Sequence, residues 1–171
     1  HEVVVTREPG GTPVAEAIRV LLLADDVDMT ARCEALLFAA ARADHVERTI
    51  RPALERGAIV LTDRFIDSSL AYQGVARGLG VEQVEAFNMW ATDGLVPDVT
   101  IMLDLPIGTS VMREGENDRM ENEGQLFQAR VRRGLMELAA RRPDRYTVID
   151  ASGPIEQVAD LVWAALPDQW R

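Results

Sequence analysis

Four short apolar runs, rich in β-branched residues, set the strongest limit on how this chain can fold. They cover residues 2–6, 58–63, 99–104 and 146–150. Because their apolar residues are nearly continuous instead of alternating with polar ones, the runs are typical of strands buried on both faces of a parallel sheet. Helical patterns separate them, and strands that alternate with helices favour a doubly wound α/β fold. The sequence therefore predicts a single three-layer α/β domain over residues 1–171.

The helices are predicted from capping residues and apolar spacing. Thr12 followed by Pro13 is typical of a helix start, and Thr30 predicts the start of a longer helix that runs to about residue 56. Pro52 lies inside that segment and predicts a kink or a restart. Apolar residues at helical spacing predict further helices in residues 81–94, 124–142 and 155–166.

The charge balance narrows the possible partners. Arginine supplies all 18 basic residues, lysine is absent, and 28 acidic residues give a net charge of −10. That charge argues against a nucleic-acid partner, and no apolar run approaches the roughly 18 residues of a membrane span.

The single cysteine, Cys33, excludes an internal disulfide and favours a reducing, cytoplasmic setting. The sequence also lacks the spacings of zinc sites, metalloproteases, serine hydrolases and dinucleotide-binding folds.

The predicted strands end in polar sequences, TREPGGT, DRFIDSS, LDLPIG and IDASGP. Ligands bind beyond the carboxyl ends of parallel strands, so we expect these groups to converge on one rim. Arg7 and Arg64 suit a phosphate, because a guanidinium donates to two oxygens in parallel. Asp63 suits a Mg²⁺-bound water or an orienting contact with arginine. The alternatives are a plain turn after Arg7 and a structural ion pair at Asp63 and Arg64.

Polar side chains continue after the second of these strand ends. Ser68, Ser69, Tyr72 and Gln73 lie within one or two helical turns of each other. Ser69 and Tyr72 have a spacing that puts both on one helix face. Two hydroxyls, a phenol and an amide beside Arg64 favour a site for a polar, anionic small molecule. The alternative is a capped short helix with Tyr72 packed inward.

The sequence LLFAAARADH places an aromatic ring and a cation one helical turn apart. Phe38 and Arg42 are four residues apart on the long predicted helix, and a ring to stack on beside a donor suits a nucleobase. The alternative is a core phenylalanine with an arginine that extends to solvent. His45 has no predicted metal partner, so we expect it on the helix surface.

Residues 113–124 are polar, rich in charges of both signs and bounded by glycine. Such a segment is typical of a lid, and its Arg113 and Arg119 would then close over a substrate. The alternative is a solvated loop.

Taken together and in this order, TREPGGT, LLFAAAR, DRFIDSSLAYQG, NDRMENEG and VIDAS resemble the bacterial thymidylate kinases. The resemblance covers nearly the whole chain. It implies the fold of the P-loop nucleoside monophosphate kinases, with a five-stranded parallel sheet flanked by helices, and usually a homodimer. It also implies transfer of the γ-phosphoryl group of ATP to dTMP with Mg²⁺, which gives dTDP on the route to dTTP.

The resemblance assigns roles to residues of this sequence. Arg7 and Arg64 would hold the dTMP phosphate, and Asp63 would belong to the Mg²⁺ and water network. Arg119 and Arg113 would be the candidate catalytic arginines of the lid. The base and sugar would be held by Phe38, Arg42, Ser68, Ser69, Tyr72 and Gln73.

Within that group the implied contacts differ. Phe38 would stack on thymine, and Arg42 would donate a hydrogen bond to a thymine carbonyl. Ser69, with Ser68 beside it, would lie at the base edge. Tyr72 would pack against the deoxyribose where a 2′-hydroxyl would otherwise fit, and Gln73 would line the same pocket.

The sequence departs from the family pattern in two places. The family begins with a strand, a GxxxxGK[ST] loop and a helix, about 30 residues in all, whereas residue 1 here falls at the strand that would come second. We therefore expect an N-terminally incomplete domain whose ATP phosphate site, and with it the ATP-binding residues, lie outside residues 1–171. The segment from residue 104 to 118 is also a few residues shorter than the family pattern and has fewer arginines.

Two other functions remain open at this point. One is a different nucleotide or deoxynucleoside kinase on the same fold. The other is a non-catalytic nucleotide-binding module that serves as a partner or a sensor.

Overall fold

The computed structural model describes residues 1–105, 119–120 and 123–171. Its strands are β1 Val3–Arg7, β2 Ile59–Asp63, β3 Thr100–Asp104 and β4 Tyr146–Asp150. They form two parallel pairs, β1 with β2 and β3 with β4, each in continuous register over its full length. The predicted strand positions are confirmed to within one residue at each end. The described residues contain four strands, fewer than the five that the resemblance implies.

The helices alternate with the strands as the sequence predicts. They are α1 Pro13–Leu23, α2 Ala31–His45, α3 Arg51–Glu55, α4 Ile66–Ser69, α5 Val81–Ala91, α6 Gln125–Arg141 and α7 Ile155–Ala165. Two π-helical stretches extend this set, Val46–Ile50 between α2 and α3 and Leu70–Ala76 directly after α4, and a short 3₁₀ turn covers Asp168–Trp170. The α/β class is therefore confirmed for the described residues.

The helix starts follow the predicted caps. The Thr12 hydroxyl accepts the backbone N–H of Ala15 at 3.1 Å, and Thr30 caps α2 in the same way. Helical residues continue past Pro52, which is the second residue of α3 and follows the π-helical stretch, so α3 restarts there as one of the two predicted outcomes. A proline lacks the N–H and crowds the carbonyl one turn back, and the widened turn accommodates both effects while the helix continues.

Two apolar clusters hold these elements together. The first joins the α2–α3 segment, α4 and α5, and its buried members are Val46, Ile50, Phe65, Ile66, Leu70 and Val84. The second joins the π-helical stretch after α4 to α6 and to the residue next to Arg119, and its buried members are Ala71, Ala76, Met120, Phe127 and Val131. Both clusters include residues of the α4 region, so DRFIDSSLAYQG begins at a strand end and continues into the core.

The expectation that both faces of the strands are buried is wrong for the described residues. Val5 is 73% exposed and Leu61 is 58% exposed, and Val3, Leu103 and Val148 are exposed as well. In both strand pairs the described residues leave these side chains accessible. The alternate residues of the strands pack inward on the helices, as the pleat of a strand requires.

A buried polar cluster ties α4 to the second strand pair. Asp67, the second residue of α4, accepts hydrogen bonds from the Tyr146 hydroxyl and from Arg145. Thr100 at the start of β3 lies 3.5 Å from the same carboxylate. Burial first, and then the Asp67 carboxylate, raise the pKa of Tyr146 above its usual range. The phenol therefore stays protonated as a donor.

Among the described residues, no helix is both long and apolar enough to cross a lipid bilayer.

Candidate active site

The carboxyl ends of β1 and β2 bring Arg7 and Asp63 side by side. The two residues are partners in the parallel register, and the backbone N–H of Glu8 donates to the carbonyl of Asp63 at 2.9 Å. Both side chains are exposed, with 55% of the Arg7 side chain accessible. This corner of the fold therefore presents a cation and a carboxylate to solvent at the strand ends, where parallel sheets bind ligands.

The turn after Arg7 is fixed by Glu16 on α1. Its carboxylate accepts the Arg7 guanidinium at 3.2 Å and the backbone N–H of Gly11 at 3.1 Å. The Gly11 N–H first, and then the charge of Arg7, hold the pKa of Glu16 below its usual value. Gly11 has a φ of +85°, and a Cβ there would lie 2.5 Å from the His45 ring, so this position requires glycine. An open cavity of about 360 Å³ lies beside this turn.

Arg64 has an unusual backbone for a residue with a side chain. Its φ of +66° lies in the left-handed region, which is uncommon for residues other than glycine, asparagine and aspartate. Its carbonyl accepts the Thr62 hydroxyl at 3.0 Å, and its guanidinium lies 5.4 Å from the centre of the Tyr72 ring. Such backbone geometry concentrates at ligand sites, and here it occurs at the exposed strand end next to Asp63.

The Arg42 guanidinium is fully buried, with only 2% of the residue exposed. Its Nε donates to Glu8 Oε2 at 2.7 Å, and its Nη1 donates to Ser69 Oγ at 3.1 Å and to Asn88 Oδ1. The charge also lies 5.5 Å from the centre of the Phe65 ring. The alternative of an arginine that extends to solvent is therefore wrong. The reason is that Glu8 supplies the opposite charge that a buried guanidinium needs.

His45 is also buried, with no exposed surface, so the prediction of a helix-surface residue is wrong. Its Nδ1 lies 3.0 Å from Glu8 Oε1, and its Nε2 lies 2.7 Å from the Thr6 hydroxyl. The sequence could not indicate this, because both partners come from β1 and the turn after it, about 40 residues away in the chain.

Glu34 on α2 accepts hydrogen bonds from several side chains on the other side of the site. The residue is 1% exposed and accepts Gln73 Nε2 at 2.9 Å, Arg77 Nη2 at 2.9 Å and Arg119 Nη2 at 2.8 Å. Burial alone would raise the pKa of Glu34, but the hydrogen bonds from Arg77, Gln73 and Arg119 outweigh it and hold the pKa below the usual value. Arg77 also pairs with Glu123.

The remaining predicted residues fall into three groups. Phe38 and Ser68 are half-buried, and within the described residues the ring beside the Arg42 guanidinium is Phe65, not Phe38. Tyr72 is half-buried, and its ring packs edge-on against Phe127 with 6.0 Å between centres. Arg113, and most of the lid-like segment with it, lies outside the described residues.

Arg119, a residue of the predicted lid that the structure describes, is held by two acceptors. Its Nε donates to the carbonyl of Leu22 at 2.9 Å, in addition to its contact with Glu34. Its side chain is 14% exposed. Arg119 is therefore attached to the C-terminal end of α1 and to α2.

The donors around the strand ends can also be compared with the needs of a metal. Within the described residues, no group of three or more histidine, cysteine, aspartate or glutamate side chains could hold an ion. Asp63 supplies a single exposed carboxylate. Mg²⁺ commonly binds through one or two carboxylates together with phosphate oxygens and water, so this donor set fits Mg²⁺ carried with a nucleotide.

Sequence reasoning missed several residues of the site. Glu8 lies within TREPGGT, and an acidic residue directly after a strand-end arginine was a usable signal. Glu34 and Asn88 gave no signal, because each lies on a helix as an ordinary polar residue. Their partners come from other elements, so only the packing of α2, α5 and the α4 region shows what they contact.

Comparisons with known proteins agree with this architecture. The family model described as thymidylate kinase matches residues 1–162. A thymidylate kinase of Bifidobacterium longum (strain DJO10A) is 54% identical over 169 residues, covering 96% of this chain and 80% of that protein. A thymidylate kinase of Desulforudis audaxviator is 50% identical over 167 residues, covering 96% of this chain and 76% of that protein.

A solved structure gives the same result at the level of the backbone. The crystal structure of thymidylate kinase from Ehrlichia chaffeensis matches with a TM-score of 0.74 and 31% identity, over 96% of this chain and 81% of that one. The strand-end motifs, the buried site and these matches together identify the fold as that of the P-loop kinases. The chain belongs to the thymidylate kinase family of nucleoside monophosphate kinases.

Proposed function

We propose that the chain phosphorylates dTMP to dTDP with ATP as the phosphoryl donor, in the supply of dTTP. The observation that carries the proposal is the corner formed by Arg7, Asp63 and Arg64. Two guanidinium groups and one carboxylate lie at adjacent strand ends, and arginine forks bind phosphate oxygens in pairs. The dTMP phosphate would be held there.

The base would bind toward the buried side of this corner. Arg42 is the candidate donor to a thymine carbonyl, and Phe38 is the candidate stacking surface. Ser69 supports the assignment because its hydroxyl accepts a hydrogen bond from Arg42 at 3.1 Å. Ser69 and Arg42 would therefore lie together at the edge of the base. Ser68 and Gln73 would line the same pocket.

The sugar would contact Tyr72. Its ring contacts both the Arg64 guanidinium and the Phe127 ring, so the candidate phosphate ligand and the candidate sugar contact touch each other. A ring that two contacts hold in place is suited to excluding an additional hydroxyl by steric conflict.

Phosphoryl transfer needs mainly correct positioning and neutralisation of charge. Arg7 and Arg64 would supply positive charge at the acceptor phosphate, and Asp63 would hold Mg²⁺ through water. Arg119 and Arg113 stay the candidate catalytic arginines. The contacts of Arg119 with Glu34 and Leu22 support a role for Arg119 in anchoring the lid.

We further propose a cytoplasmic homodimer without a nucleic-acid or membrane partner. An open cavity of about 350 Å³ between α2 and α5, lined largely by apolar side chains, supports a second copy as the partner. Leu36 in that cavity is 58% exposed. Light scattering coupled to size-exclusion chromatography would test the dimer, and a monomer at micromolar concentration would contradict it.

The phosphate site is tested by Arg64→Ala in the full coding sequence. Loss of a charge-assisted, bidentate contact should lower kcat/KM for dTMP by about 2–4 kcal/mol, which is roughly 30- to 900-fold. The control is Arg48→Ala, because Arg48 is an arginine with a 68% exposed side chain that pairs with Asp44 on the helix surface. The control should stay within about threefold of the parent. An Arg64 variant that also stays within threefold would remove Arg64 from the phosphate site.

A further inference from the structure

We propose that His45 is a positioning residue for base selection, and that it acts through Glu8 on Arg42. The inference rests on the proposed role of Arg42 at the thymine carbonyl. His45 itself would not touch the nucleotide. It would keep Nη2 of the buried guanidinium from being taken by Glu8.

The first observation is that one carboxylate serves both side chains. Glu8 Oε2 accepts Arg42 Nε at 2.7 Å, and Glu8 Oε1 lies 3.0 Å from His45 Nδ1. Arg42 and His45 are three residues apart on α2, so they lie on the same helix face. All three residues are buried, so water does not compete for these contacts.

The second observation is that both nitrogens of the histidine ring have partners and that Gly11 lies against the ring. Nε2 lies 2.7 Å from the Thr6 hydroxyl, and the backbone of Gly11 passes so close that a Cβ there would lie 2.5 Å from the ring. A carboxylate can only accept hydrogen bonds. Nδ1 therefore carries the proton that is donated to Glu8.

This donation decides how Glu8 can bind Arg42. A carboxylate beside a guanidinium tends to take two parallel hydrogen bonds. Here one oxygen is occupied by His45, so Glu8 holds Arg42 through Nε alone. Nη2, which lies on the same side of the guanidinium as Nε, is thereby left without a bond to Glu8, while Nη1 donates to Ser69 and Asn88.

The guanidinium is planar, so fixing Nε and Nη1 also fixes Nη2. Within the described residues, Nη2 has no hydrogen-bond acceptor of its own. It is the donor left for a base. Without His45, Glu8 would turn toward a bidentate contact with Nε and Nη2, and Nη2 would no longer be available to a base.

Three substitutions at one position separate the contacts of the ring. In His45→Asn the side-chain amide lies near the place of Nδ1 and keeps a donor for Glu8. In His45→Gln the amide lies near the place of Nε2 and keeps the contact with Thr6. His45→Leu keeps neither. All are made in the full coding sequence and assayed with dTMP, with dCMP, which has an amino group where thymine has a carbonyl, and with ATP.

For His45→Gln and His45→Leu we expect KM for dTMP to rise about tenfold and the preference for dTMP over dCMP in kcat/KM to fall about tenfold. KM for ATP should stay within about twofold. His45→Asn should restore both dTMP readouts to within about threefold of the parent. A purely structural histidine would lower thermal stability in all three variants and leave base preference unchanged.

The inference is overturned if base preference is unchanged in His45→Gln, or if His45→Asn is as impaired as His45→Gln. Arg42→Met tests the role of Arg42 separately from the role of His45. If that variant keeps KM and base preference, the role of Arg42 fails and the inference fails with it. If Arg42→Met is impaired and His45→Gln is not, only the inference fails.

A second pair of variants tests the inference if the histidine variants do not fold. Should His45→Gln and His45→Leu not yield folded protein, Glu8→Gln with His45→Asn decides. Support then requires a tenfold higher KM for dTMP in Glu8→Gln and near-parental values in His45→Asn. Near-parental values in both would overturn the inference.

Discussion

Glu34→Gln is the perturbation whose effect the structure allows us to work out most fully. The substitution keeps the size of the side chain and removes its charge. Glu34 is 1% exposed and accepts donors from two arginines and from Gln73. A glutamine would retain one acceptor oxygen, while its amide nitrogen would face a cationic donor. At least one charge-assisted hydrogen bond is therefore lost and replaced by an unfavourable contact.

The size of the loss in unfolding free energy depends on which contacts the two arginines keep after the substitution. Removing one member of a buried ion pair costs about 3–5 kcal/mol. Arg77 and Arg119 keep 18% and 14% of their side chains exposed, so water compensates in part, and Arg77 also keeps Glu123. We therefore expect a loss of about 3 kcal/mol in the free energy of unfolding. In a chain of this size that loss lowers Tm by about 6–12 °C.

The effect should depend on pH with a definite sign. The pKa of Glu34 in the folded state lies below its usual value of 4.5. A carboxylate with a lowered pKa contributes stability that is fully present above pH 4.5 and is lost as the pH falls through the folded-state pKa. The difference in unfolding free energy between parent and Glu34→Gln should therefore be full at pH 7 and should shrink below pH 4.5.

Urea unfolding followed by circular dichroism at pH 7 and at several values below 4.5 measures both effects. The control is Glu47→Gln, because this substitution makes the same chemical change at an exposed position of the same helical segment. We expect the control to stay within about 0.5 kcal/mol of the parent. A Glu34 variant as stable as the parent at pH 7, or a difference that does not change with pH, would refute the reasoning.

Two further predictions concern the sugar contact and the α4 anchor. Tyr72→Ala should reduce the preference for the deoxy over the ribo form of thymidine monophosphate at least tenfold, since an open pocket rejects an added hydroxyl by about 10²-fold at most. Tyr72→Phe, which keeps the ring, is the control, and an unchanged preference in Tyr72→Ala would place the discrimination elsewhere. Asp67→Asn should lower the unfolding free energy by about 2–3 kcal/mol, because Arg145 is left buried with a weaker partner. The exposed Asp98→Asn serves as the comparison in thermal unfolding, and equal Tm values for the two variants would contradict the role of Asp67.

The sequence by itself determined the local elements of this protein. Continuous β-branched runs gave the four strand positions, and Thr12 and Thr30 gave the helix starts, because capping and backbone preference act between residues close in the chain. The strand-end motifs indicated a site for an anionic ligand for the same reason. Arg7 and Asp63 were predicted at strand ends on one rim, and the structure shows that their two strands are neighbours.

Only the tertiary structure decided what the polar residues of the helices contact. His45 was predicted on the surface and is buried, because Thr6 and Glu8 approach it from β1 and the turn that follows. For Arg42 the sequence allowed two predictions, a donor in a nucleobase pocket or a side chain that extends to solvent. The carboxylate of Glu8 stabilises the guanidinium in its buried position. The outer faces of the strands also differ from the sequence prediction, because periodicity indicates which residues are apolar and not which elements pack against them. Burial depends on contacts between residues distant in the chain, and a single sequence carries no local signal for them.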